Sequence, residues 1–336
     1  MKTSTGAPYL SVVFSFRNEE CVLPELIRRV RAAVAGARAE GLVGRHEIIF
    51  VNDASNDRSL ALLKEQAQGH DDIRIINMSR TFGVAPCVLA GFAYAQGDAV
   101  VYMDADLQDP PEIIPDMLRA WQSDEGVEVV HTQRRLRQGE PWFKILITNI
   151  GYTILNRCCT VVIPREAGDF KLLSRRVVTH LLQFHEQNPF MRGLVAWVGF
   201  KQVFVQYDRQ ARFAGDSKFF VLGRKVISNF FNSAIVNYSV LPLHVATYLG
   251  FGVILLDLLL LARVFFTKAQ LADVPGGMII LMAVLFMGGV QLLCLGVIGL
   301  YLNAVHEQGK KRPAYIVEST FGFSTEPSDH AAPKRA

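Results

Sequence analysis

The residues best equipped for chemistry are Asp104-Ala105-Asp106-Leu107-Gln108-Asp109-Pro110-Pro111-Glu112. They follow an apolar run, Asp98 to Met103, that reads as a buried strand. Ligands of α/β proteins bind at the carboxyl ends of such strands. Asp104 and Asp106 flank one small residue, so a strand-to-turn kink can aim both carboxylates at one hard cation. Such a cation is usually held by one or two carboxylates plus substrate phosphates, which points to chemistry on a nucleotide diphosphate. An exposed acidic turn closed by two prolines is the alternative that D-x-D spacing alone leaves open.

These side chains need a sheet behind them. Strands are expected at Leu10–Phe16, Glu47–Val51, Ile73–Met78 and Ala99–Asp104, alternating with helices at Leu23–Ala39, Ser59–Gln66 and Pro86–Ala95. That alternation implies βαβ units and a mostly parallel sheet. Glu128–Thr132 is a further strand, Val177–Phe184 a short helix and Phe200–Tyr207 an edge strand; Trp142 to about Asn156 reads as helical. The turn after the first strand, Ser15–Glu20, holds no glycine, which disfavours dinucleotide hydride chemistry. After the second strand comes Val51-Asn52-Asp53-Ala54-Ser55-Asn56-Asp57. Asp53 there can accept hydrogen bonds from a nucleobase or ribose, while Ser55 or Asp57 can equally close an Asx turn or cap a helix.

The 336 residues carry a net charge of +4 and a mean hydropathy of +0.22. The apolar excess is concentrated in 226–256 and 274–305, neither of which contains Asp, Glu, Lys or Arg. One membrane helix needs roughly 20 apolar residues. Segments 242–266 and 278–305 meet that length and read as a two-helix hairpin within 241–306. Residues 219–240 suit an amphipathic helix in the membrane interface. Lys and Arg flank the hairpin on its outer sides, which places both chain ends in the cytoplasm. Met1 to Pro8 has no apolar core of a signal peptide. A cytosolic domain over 1–218 and a polar tail over 307–336 complete the expected division. Asp257 inside the first span is expected to pair with Gln291 or another protomer. The basic clusters suit anionic headgroups better than nucleic acid, and the five cysteines show no metal spacing.

Taken in order, the motifs resemble the inverting family-2 glycosyltransferases of GT-A fold, in their polyisoprenyl-phosphate branch. Asn18-Glu19-Glu20 is similar to Y-N-E-E, Val51–Ser55 to V-D-D-G-S, and Ser79–Gly83 to S-R-N-F-G, followed by Ala90-Gly91-Phe92. Asp104–Glu112 matches D-A-D-L-Q-x-P-P-E, Gly168–Leu173 resembles G-D-F-R-L-L, and Arg212–Lys218 resembles R-x-x-G-x-S-K. The resemblance implies transfer of one sugar from a nucleotide-diphosphate sugar, a UDP-sugar favoured, to a polyprenyl phosphate at the cytosolic face of a bacterial inner membrane. It implies Mg2+ or Mn2+ held by Asp104 and Asp106 with Gln108, and donor contacts from Asp53, Arg80 and Asp104. It also implies acceptor-phosphate contacts from Arg134, Arg209, Arg212, Ser217 and Lys218. Asp169 falls where the family places a catalytic carboxylate, either as a base or as an orienting group. A tetramer follows by analogy.

The departures lie on the donor side. Asn52-Asp53-Ala54 replaces Asp-Asp-Gly, Thr81 replaces Asn, and Ser15 and Arg17 replace Pro and Tyr. Two other readings stay open: a processive polysaccharide synthase, whose Q-x-x-R-W motif is missing, and an inactive membrane-anchored scaffold of the same fold.

Overall fold

The computed structural model describes residues 6–134, 164, 167–187, 189–208, 248–253, 255–256, 259 and 276–323. The chain divides into two compact units, one of 1–152, 161–221 and 312–336, the other of 153–160 and 222–311.

The first unit is an eight-stranded sheet covered on both faces. Its strands are β1 (Tyr9–Phe16), β2 (Arg45–Asn52), β3 (Ile73–Met78), β4 (Ala99–Asp104), β5 (Val127–Arg134), β6 (Ala167–Ser174), β7 (Lys201–Tyr207) and β8 (Val317–Phe321), in the order β7-β5-β6-β4-β1-β2-β3-β8. Helices α1 (Leu23–Ala39), α2 (Ser59–Gln68) and α4 (Ile114–Gln122) lie on one face. Helices α3 (Val84–Tyr94), α5 (Arg175–Leu181) and α6 (Met191–Trp197) lie on the other. α1 shows why. Leu23, Leu26, Ile27, Val30 and Val34 recur at helical spacing and are buried, whereas Arg28 faces solvent. Each such burial contributes roughly 1.5–3 kcal/mol.

The expected parallel core is present in β4-β1-β2-β3. The rest is mixed, because β6 runs antiparallel to both β4 and β5, and β8 antiparallel to β3. The reversal of β6 has a consequence for the site. Antiparallel pairing brings the start of β6 to the carboxyl end of β4. Tyr102 stands opposite Lys171, and the same register carried two residues further sets Asp104 opposite Asp169.

The segment after Lys310 reads in the sequence as a polar tail. It returns to the first unit and adds β8 to the sheet edge. Four of its five residues are exposed, and it is held by pairing with β3 together with packing of Tyr315, Val317 and Phe323 against the core; no hydrophobic alternation announces it. The helix expected over Trp142–Asn156, the interfacial segment 219–240 and Asp257 lie outside the described residues.

In the second unit, α7 spans Gly276–Gly309. Among the described residues it is the one helix long and apolar enough to cross a membrane, over Phe286–Gly309. Its Leu292, Leu295 and Leu302 are exposed.

Candidate active site

β4 delivers Asp104 at its carboxyl end, and the chain then turns sharply. Leu107 takes a left-handed backbone conformation (φ 57°) with a buried side chain. Such a conformation costs a non-glycine residue roughly 1–2 kcal/mol and persists where the surroundings enforce it. Here it folds the turn back so that Asp106 Oδ1 accepts the Gln108 backbone N–H at 3.1 Å. Asp109 is buried and accepts the Tyr207 hydroxyl.

Burial pushes the Asp104 carboxyl up to about 7, with Asp169, Asp106 and Asp109 adding their negative charge. Negative charge gathered in one recess is what a divalent cation relieves. Among the described residues no three His, Cys, Asp or Glu side chains form a closed metal cage. The donor set fits an ion that Asp104 and Asp106 would hold and that substrate phosphates would complete.

Across the recess stands Asp169 on β6. Burial raises its carboxyl, but Arg192, then Lys171 and Arg134, outweigh that and bring it down to about 2. Arg192, at the start of α6, donates through Nη2 to Oδ2 at 2.6 Å and through Nε to both oxygens at 3.0 and 3.1 Å. Lys171 is 1% exposed. Its ammonium donates to the Gly168 carbonyl at 2.5 Å and lies 4.0 Å from Asp169. Burial pushes it down to about 8, with Asp169 opposing. Asp169 is thus a fixed anion in a cationic clamp. Of the two roles left open for it, orientation fits this better than proton transfer. Sequence reasoning missed Arg192. The signal available was one cation opening a short apolar stretch, Met191–Trp197, whose other residues are mostly buried.

Arg134 lies on the same side. Its Nε donates to the Tyr207 hydroxyl at 3.2 Å, Nη2 lies 3.9 Å from Asp109, and a Cβ on Gly168 would meet that Nη2 at 3.3 Å. Gly168 therefore lets the guanidinium lie against the β6 backbone. The other expected acceptor contacts, Arg209, Arg212, Ser217 and Lys218, lie outside the described residues.

The donor-side residues fall at the ends of β1, β2 and β3. Asp53 is 7% exposed, and its two oxygens accept the backbone N–H groups of Phe82 (2.7 Å) and Gly83 (3.1 Å). Asp53 thereby holds the loop that opens α3. Arg80 stacks on Phe82, 4.1 Å from the ring centre, and donates to the Thr81 carbonyl. The loops after β1 and β2 are laced together: Asn18 N–H donates to Ser55 Oγ and Glu19 N–H to Ser59 Oγ, both at 2.9 Å. Asp57, one residue before the N-cap of α2, accepts the Ser59 N–H at 3.0 Å. Ala54 sits at φ 51°, the backbone conformation for which glycine is suited.

Residues 11–182 match the family model for glycosyl transferase family 2. An uncharacterized glycosyltransferase of Synechocystis sp. is 41% identical over 315 residues, covering 94% of this chain and 96% of its own. The uncharacterized glycosyltransferase YkcC of Bacillus subtilis is 36% identical over 318 residues, covering 93% and 94%. The bactoprenol glucosyl transferase of Shigella phage SfV is 34% identical over 311 residues, covering 92% and 98%. With the acidic turn at the end of β4 and the matched stretch spanning it, the chain belongs to glycosyl transferase family 2 and is a glycosyltransferase.

Proposed function

We propose that the protein transfers a single sugar, with inversion, from a UDP-sugar to a polyprenyl phosphate at the cytosolic face of a bacterial inner membrane. The observation that carries this reading is the pairing of the Asp104 recess with the clamped Asp169 at one end of the sheet. A relative named bactoprenol glucosyl transferase supports the acceptor class and favours a glucosyl donor. The apolar α7 supports a membrane anchor, which we read as one arm of a two-helix hairpin in a homo-oligomer.

In this reading Asp104 and Asp106, with Gln108, hold Mg2+ or Mn2+. An ion held there would supply positive charge to offset what develops on the departing diphosphate. The acceptor is a phosphate monoester, largely dianionic at pH 7 because its second pKa is about 6. One of its oxygens forms the new bond to the anomeric carbon as the bond from that carbon to the donor diphosphate breaks. No proton has to be removed from the nucleophile. That agrees with an Asp169 held ionised by Arg192, positioning groups rather than acting as a base. Arg134, with Arg209, Arg212, Ser217 and Lys218, holds the acceptor phosphate, a task suited to guanidinium forks. Asp53 and Arg80 shape the donor-side wall.

Thermal denaturation of the detergent-solubilised protein tests the donor assignment, because a ligand of the native state raises its midpoint. UDP with Mn2+ should raise it more than GDP with Mn2+, and more than UDP with EDTA. Equal or absent shifts for both nucleotides would overturn the UDP assignment.

A further inference from the structure

A line of hydrogen bonds joins the C-terminal strand to the donor-side loops, and neither of its ends can be reversed. At one end the Ser55 backbone N–H donates to Asn52 Oδ1 at 3.1 Å. At the other the Glu318 carboxylate accepts Asn77 Nδ2 at 2.5 Å. Between them Asn52 Nδ2 donates to Asn77 Oδ1 at 2.7 Å. A backbone N–H only donates and an ionised carboxylate only accepts. With both ends fixed, each intervening amide has a single permitted orientation. Residue 52 must therefore accept from Ser55 and donate to Asn77, which an amide does and a carboxylate does not.

An Asp at position 52 would force the Asn77 amide to turn. Its second oxygen would need the Asn77 amide nitrogen, turning Asn77 Oδ1 towards Glu318, acceptor against acceptor. That contact is exposed, so water relieves part of the mismatch there; leaving Asn77 unturned would instead set two acceptors against each other at Asn52, which is 1% exposed and where an unsatisfied polar group is costly. The same C-terminal segment holds the second donor-side loop. The Ile316 carbonyl accepts the Ser79 N–H at 3.1 Å, where the Ser79–Gly83 loop begins. Asp53 then ties Phe82 and Gly83 of that loop to the first one.

We propose that Glu318 is a positioning residue of the donor site: acting through Asn77, it dictates asparagine at position 52 and so sets the Asp53–Asp57 loop for the donor nucleoside. This rests on assigning the donor to the carboxyl ends of β1 to β3. It also gives the Asn52 departure from the Asp-Asp-Gly pattern a physical partner, 266 positions away in sequence (318 minus 52).

The test is conditional suppression in the full-length, detergent-solubilised protein, with UDP and Mn2+ as the probe. Glu318→Gln alone should be nearly silent, because its amide oxygen still accepts from Asn77. Asn52→Asp alone should weaken UDP binding by about fivefold, the scale of one partly exposed hydrogen bond, and lower the thermal midpoint. The Asn52→Asp/Glu318→Gln protein should return to within about twofold of the parent, because the glutamine amide now donates to Asn77 Oδ1 and both side-chain links run the other way while Ser55 still donates to residue 52. A harmless Asn52→Asp, or a double variant no better than Asn52→Asp, would overturn the proposal. Suppression seen in the midpoint with UDP affinity unmoved would also overturn the donor role. If the parent binds neither UDP nor GDP, the donor reading itself fails, and the midpoints alone still decide whether the line fixes residue 52.

Discussion

Arg192 Nη2 lies 2.6 Å from Asp169 Oδ2, and the same guanidinium reaches both oxygens of that carboxylate. This clamp bears on the protonation of Asp169. A carboxyl brought down to about 2 is a poor proton acceptor at neutral pH, whereas a base works best near the operating pH. With Arg192 in place, Asp169 adds no acid limb to the rate profile between pH 5 and 8. Arg192→Ala removes the largest opposing influence, so the carboxyl rises and activity falls as pH is lowered through its new value. Turnover at pH 7 should fall by roughly tenfold or more with little change in donor KM, the pattern of a lost transition-state contribution. Arg192→Lys should recover part of it. Initial rates across pH 5 to 8 check both expectations.

His131 sets a second pH response, in stability. Its ring is 0% exposed, stacks on Phe204 and shares a 2.6 Å hydrogen bond with Gln202. Burial, then Lys171, pushes it down from 6.5 to about 4. Below pH 6.5 the unfolded chain takes up a proton that the folded chain refuses. Stability is therefore fully present above 6.5 and is lost as pH falls towards 4, on the order of 3 kcal/mol at 1.36 kcal/mol per pH unit. Thermal midpoints from pH 7 to pH 4 should fall steeply in the parent and less in His131→Gln.

Two left-handed residues should respond oppositely to glycine. Ala54 at φ 51° is partly exposed and has little side chain to lose. Ala54→Gly removes about 1–2 kcal/mol of conformational cost against about 0.5–1 kcal/mol of added chain entropy, and should raise the midpoint slightly. Leu107 at φ 57° is 1% exposed. Leu107→Gly removes the same cost but empties a packed site, worth roughly 2–5 kcal/mol, and should lower the midpoint.

Gly91 is a packing requirement. A Cβ there would meet Val13 Cγ1 at 2.3 Å and Val51 Cγ2 at 3.3 Å, so α3 could not lie as close to the sheet. Gly91→Ala should cost about 1–3 kcal/mol by overpacking, read as a lowered denaturation midpoint.

The parallel core and the acidic turn were legible because their signals are local. Leu10–Phe16, Ile73–Met78 and Ala99–Asp104 are apolar runs ending at turn residues, and all three are strands within a residue of the expected bounds. β8 was not legible, since a short exposed strand is defined by its partner β3 and not by its own pattern. Arg192 was missed for a similar reason: its meaning lies in Asp169, which only the antiparallel return of β6 brings within reach. Asp53 shows the reverse case. Its type and place suggest ligand contact, and its oxygens also hold the Phe82 and Gly83 amides, partners that residue type alone does not reveal.

The central claim is that the Asp104 recess serves transfer of a sugar to a lipid phosphate. The most direct measurement follows radiolabelled glucose from UDP-glucose into an organic-extractable product, with undecaprenyl phosphate, Mn2+ and the detergent-solubilised protein. A labelled lipid is expected that requires both metal and acceptor and falls at least about a hundredfold in Asp104→Asn, the scale of losing one preorganised electrostatic contact. Equal labelling in the parent and Asp104→Asn, or no labelled lipid from any of the UDP- and GDP-sugars tried, would contradict it.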